Sequence, residues 1–169
     1  MKCRTPHLTE DEIKEAFVKA VNVVIPEKDE LIANTKVMMR TVCDTTELEV
    51  ERSRLLTESE TVAEMVKRIV AETQTAAADQ EEYQRRRNEL VARYESAKEG
   101  YGRVSDEISE RQRTRKVYMR FIGGLQRLDG FCGEFDEELW TSLLDHATVY
   151  TKDDIRFTFK VGDEAKITG

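Results

Sequence analysis

Apolar residues recur along most of this chain with a helical period, and over two long stretches the period tightens to seven. From about Thr46 to Thr73, Leu48, Leu55, Val62 and Ile69 stand seven apart. From about Asp79 to Leu128, Tyr83, Leu90, Ala97 and Val104 form one heptad row, and Tyr94, Tyr101 and Ile108 fill the complementary positions. Neither stripe is wide enough to bury a helix alone, and the residues joining the two stretches include no glycine or proline. The spacing therefore predicts two helices folded back on each other as an antiparallel coiled-coil stalk, with its tip at about 73–79. A reversal centred near Ala76 sets Ile69 against the region of Gln84 and Leu48 against that of Ser105. The same register puts Arg111 and Arg115 on the seam before Tyr118, Ile122 and Leu125 restore the apolar pattern, which marks the base of the stalk.

Before the stalk, Thr9-Glu10-Asp11-Glu12 has the form of a capping box, and Ile13, Ala16, Phe17, Ala20, Val21 and Val24 give one broad apolar face. Pro26 should end that helix. A second follows from about Asp29, with Leu31, Ile32, Thr35, Met38, Met39 and Val42 on one side. The tetrapeptide Asp44-Thr45-Thr46-Glu47 fits a cap and a solvent-facing turn within a helix equally well. After the stalk, Gly123-Gly124 and Gly130 should loosen the long helix. Asp136 caps a short helix bearing Leu139, Trp140, Leu143 and Leu144. The period then changes to two over Thr148–Thr151 and Ile155–Val161, a β-hairpin pattern, and Gly162-Asp163 turns toward Lys166-Ile167-Thr168. Ile155, Phe157, Phe159 and Val161 should face the body.

These elements predict a mainly α protein: a long antiparallel coiled-coil hairpin projecting from a small helical body, with a short β-hairpin near the C-terminus. The expected divisions are residues 1–45 for the first helices, 46–116 for the stalk and 117–169 for the returning helix, short helix and hairpin. Charged residues make up 36% of the 169 and only two are proline, which favours helix over loop. The net charge of -7 argues against a protein that coats polyanions, although it can hide a local basic patch. No apolar run approaches membrane-spanning length and no signal-peptide core follows Met1, so the expected setting is cytoplasmic, with no membrane partner.

Cysteines at 3, 43 and 132 are odd in number and far apart, which suggests neither a disulfide framework nor a complete zinc site. Cys43 is expected in a core, among Met38, Met39 and Val42. Cys3 has no apolar periodicity around it, and the opening reads as the continuation of a longer protein. His7 and His146 stand without a neighbouring nucleophile or ligand spacing, and no catalytic set is seen. Arg85-Arg86-Arg87 reads as a solvated, salt-bridged helix face. Arg111, Arg113, Arg115, Lys116 and Arg120 are more suggestive: Arg113, Lys116 and Arg120, with Lys2 and Arg4, are candidate phosphate contacts. At the tip, Val70, Ala76, Ala77, Ala78 and Tyr83 leave a small apolar surface suited to self-association.

The two ends carry a resemblance. Lys2-Cys3-Arg4-Thr5-Pro6-His7-Leu8-Thr9-Glu10-Asp11-Glu12-Ile13 resembles the last cysteine of the zinc ribbon of large serine recombinases and the helix that follows it. Phe135-Asp136-Glu137-Glu138-Leu139-Trp140, then Val149-Tyr150 and Ile155-Arg156-Phe157-Thr158-Phe159 closing in Gly162, resembles the final segment of that family, which carries a coiled-coil insertion between. The resemblance implies a carboxy-terminal piece of a phage-type integrase or transposon recombinase from a bacterial mobile element. Its catalytic serine would lie in an amino-terminal domain outside this chain, so no enzymatic activity is expected here. The family binds DNA attachment sites through its zinc ribbon and neighbouring helices. Its coiled coil contacts a second protomer and governs synapsis and the direction of recombination, in concert with a directionality factor.

One departure matters: the family's zinc ribbon uses four cysteines, and only Cys3 falls at a ligand position. A single thiolate cannot make a tetrahedral site, so Cys3 is expected to hold zinc only in the intact parent, and no cofactor in this chain. The competing reading is a stand-alone coiled-coil adaptor or holdase-like arm unrelated to DNA.

Overall fold

A computed structural model describes residues 7–73 and 80–168. The protein is mainly helical: α1 Glu10–Val24, a 3-10 turn Ile25–Glu27, α2 Lys28–Val42, α3 Thr46–Thr73, α4 Gln80–Arg127 and α5 Glu137–Leu143 precede three strands, β1 Leu144–Thr151, β2 Asp154–Phe159 and β3 Glu164–Thr168. It divides into two compact units, one built from the described residues up to Cys43 and from Arg113 onward, the other running from Asp44 to Gln112.

In the first unit the capping box forms as the sequence predicts. The Thr9 hydroxyl accepts from the Glu12 amide at 3.2 Å, and Glu12 Oε2 accepts from the Thr9 amide at 2.6 Å. α1 ends at Val24, two residues before Pro26, as expected. Pro26 occupies the first turn of a 3-10 segment, where a missing N–H is tolerated, and α2 begins two residues later. On α2, Ile32 and Thr35 are buried, whereas Met38 and Val42, expected on the buried side, are exposed.

The sheet is a three-stranded antiparallel meander in the order β1-β2-β3, one strand more than the expected hairpin. β1 also starts earlier than its alternating pattern, because Leu144 leaves the helix and pairs with Phe159. Ile155, Phe157 and Phe159 are buried as expected, and Val161 packs partly buried against the same core. That core joins Phe17, Ala20 and Val21 of α1 to Phe121 and Leu125 of α4, Leu139 and Leu143 of α5 and the inner face of β2. Phe17 is its hub: its ring lies edge-on to Trp140 at 4.9 Å, Phe157 at 5.9 Å and Phe135 at 6.0 Å.

Gly123-Gly124 does not loosen α4, which continues unbroken to Arg127. Gly124 is a contact instead: a Cβ there would lie 2.4 Å from Ser142 Oγ and 3.0 Å from Leu143 Cδ2, so only glycine lets α5 approach this closely. Beyond α4 the loop to α5 turns at Gly130, with φ at 80°. It is held to α1 and α2 by reciprocal Asn22–Cys132 side-chain to backbone bonds at 2.8 Å and by Lys28 Nζ donating to the Leu128 carbonyl at 2.5 Å.

In the second unit, α3 and residues 80–112 of α4 form the antiparallel hairpin. Its helix does break before Thr46, where Asp44 accepts from the Thr46 amide at 3.0 Å and hydroxyl at 2.7 Å. Glu58 pairs with Arg93, Leu55 packs over Gly100, and Arg111 Nη1 donates to the Asp44 carbonyl at 2.5 Å. Each pair lies within two residues of the register set by a reversal near Ala76. The units part at 112/113, a few residues before the expected 116/117.

Candidate functional site

Seam residues of the hairpin divide by depth. Val62, Ala97 and Ile108 are buried, at 0%, 4% and 2% exposure, while Leu48, Leu55, Ile69, Leu90, Tyr94, Tyr101 and Val104 are half-buried. Two helices leave one side of each seam open, so partial burial is what this geometry allows. Arg111 is half-buried, and its guanidinium also pairs with Glu107 at 2.8 Å. Arg115 is exposed and off the seam, contrary to the sequence expectation, since the paired part of α4 ends before it.

At the tip, Val70 is 40% exposed and Tyr83 half-buried. Ala76, Ala77 and Ala78 lie outside the described residues. In the first turn of α4 Glu82 accepts from both Arg85 and Arg86, at 2.5 and 2.8 Å, and these contacts hold its carboxyl below the ordinary range. That is the solvated, paired face predicted for the Arg85–Arg87 run.

Candidate phosphate contacts Arg113, Lys116 and Arg120 are all exposed on the last four turns of α4, at helical spacings of three and four that place them on one face. Lys2, Arg4 and Cys3 lie outside the described residues. Arg127 extends the row by another seven positions and was missed in the sequence reading, although its spacing from Arg113 and Arg120 is visible there. Arg120 and Arg127 border a cleft of about 550 Å³ that Gly123 and Gly124 also line. Across it, Glu138 pairs with Arg127 at 2.5 Å, and Lys160 donates to the carbonyl of Thr141, a residue of the cleft wall. Lys160 reaches this place only through the sheet. Guanidiniums flanking a helix turn without side chains can take phosphate oxygens by charge-assisted hydrogen bonds.

Among the described residues no group of three or more His, Cys, Asp or Glu side chains is placed to hold a metal ion. Cys43 is buried, as predicted. The Cys132 thiol donates to the Glu134 carbonyl at 3.3 Å, and burial pushes its pKa up. The His146 ring lies 2.8 Å from the exposed Asp145 carboxylate, and His7 is exposed. No helix of the described residues is long and apolar enough to cross a membrane. Compared with protein-family models, curated proteins and solved structures, the chain matches none.

Proposed function

We propose that this chain is the DNA-binding and regulatory carboxy-terminal part of a site-specific serine recombinase, and that the α3–α4 hairpin mediates contacts between protomers. The observation that carries this reading is the hairpin's position: it is a compact unit inserted in sequence between the two segments of another, at the place the resemblance of both chain ends calls for. The exposed row Arg113, Lys116 and Arg120 supports it, because it concentrates positive charge in a protein that is acidic overall. Under this reading the catalytic serine and the zinc belong to the intact parent, and this chain binds without cutting. Its partners are an attachment site, a second protomer and a directionality factor.

Titration of a labelled duplex at low and moderate salt tests the DNA part. Weak, salt-dependent binding with little sequence preference is expected. Lys116→Glu with Arg120→Glu should weaken it and reduce the magnitude of the salt slope by about two. Binding that is absent at low salt, or indifferent to these reversals, would leave the adaptor reading in its place. Within the parent, Val70→Asp with Tyr83→Asp should spare single-site binding and impair pairing of two sites; unchanged pairing would remove the hairpin from that role.

A further inference from the structure

On the side of the first unit formed by α1 and the start of α5, Phe135 and Trp140 are only partly buried and floor a cleft of about 480 Å³. Ile13 completes its apolar wall, and Glu10 and Glu137 stand on its rim. Beyond Phe135 a second cleft of similar size adds Asp11, Glu15 and Glu134. Five carboxylates thus surround the pair of clefts against two ammoniums, Lys14 and Lys19.

One of those ammoniums shows what the place can hold. Lys14 Nζ lies 5.2 Å from the centroid of the Phe135 ring and 2.6 Å from Glu10 Oε1. It borders both clefts, and its contact with Glu10, followed by the field of Asp11 and Glu137, raises its pKa. A cation over an aromatic face with carboxylates around it is a complete binding arrangement, filled here by the chain's own short-reaching lysine. A guanidinium would fill it better, since its plane stacks on the rings while its fork meets a carboxylate.

We propose that this acidic, aromatic-floored groove is a docking site for an arginine-bearing segment of a partner protein, with Lys14 as the resident side chain that the arginine displaces. The charge of the groove repels nucleic acid, so the site is separate from the basic row on α4. It stands or falls independently of the recombinase reading.

Trp140 is the only tryptophan, and it lines the groove, so its emission reports occupancy directly. The intact chain is titrated with a short blocked peptide carrying two arginines among alanines, and with the same peptide carrying citrulline in their place. A saturable change in Trp140 emission is expected with the arginine peptide alone, and it should weaken with added salt. Glu10→Gln with Glu137→Gln should lower the affinity by ~3–10-fold. Lys14→Met keeps the stem and removes the competing charge, and it should raise the affinity by a similar factor. A purely structural lysine would give no such gain, so unchanged or weaker binding in Lys14→Met and in Lys14→Gln overturns the proposal. Equal binding of the citrulline peptide, or absence of any response to the arginine peptide, overturns it too. Concentration-dependent dimerisation abolished by Glu10→Gln with Glu137→Gln would assign the groove to a second copy of this chain instead.

Discussion

Neighbouring glycines in one helix have opposite roles here. A Cβ at Gly123 would meet nothing within 4 Å, whereas one at Gly124 would press on Ser142 and Leu143. Gly123→Ala should therefore stabilise by ~0.5–1 kcal/mol through helix propensity. Gly124→Ala should destabilise by ~1–3 kcal/mol through overpacking, since Ser142 Cβ, at 3.2 Å, cannot swing away as a flexible side-chain end could. Urea unfolding followed by Trp140 emission measures both. Equal shifts of the same sign would refute the close packing of α4 on α5. The sequence shows the two glycines but not their difference, because the partner of Gly124 lies some twenty residues away and arrives only with the fold.

Among the elements, helix starts were legible because caps are local. Thr9 with Glu12 is a four-residue signal, and the Thr9 amide donates to the Glu12 carboxylate, holding it below the ordinary value of 4.5. A carboxyl lowered in the folded state contributes stability above its unfolded pKa and loses it as pH falls through the lower folded value. The Thr9 amide resonance should follow that titration with a midpoint below 4.5, and Glu12→Gln should abolish the shift. A midpoint at or above 4.5 would mean the cap is open in solution. Helix ends and the first strand were less legible. Leu139, Leu143 and Leu144 keep helical spacing, yet Leu144 goes to the sheet because its pairing with Phe159 buries it there.

At the scale of the whole molecule, two compact units share one helix: α4 gives residues 80–112 to the hairpin and 113–127 to the mixed helix and sheet core. Val62, fully buried in the hairpin, is the place to separate them. Val62→Asp would bury an unpaired carboxylate in the seam at a cost of about 3–5 kcal/mol. Far-UV circular dichroism should lose much of the hairpin's helical signal, while Trp140 keeps its native emission, because its ring packs on Phe17, Phe135 and Phe157 within the other unit. Simultaneous loss of both signals would show a single cooperative body.

The seven-residue spacing of Leu48, Leu55, Val62 and Ile69, the matching stripe from Tyr83 to Ile108 and the short stretch joining them were together enough to define α3 and its antiparallel partner, since neither narrow stripe can leave water alone. The basic cluster from Arg111 to Arg120 was visible in the sequence, but which of its members are exposed was not: Arg115, expected on the seam, is exposed, and Arg111 is half-buried. Tertiary structure alone decided the start of β1 at Leu144, the interlock of Gly124 with Ser142, and the groove at Phe135. Each of these joins residues distant in the chain through ladder hydrogen bonds, close packing or cation–π contact, and none of those interactions leaves a period in the sequence.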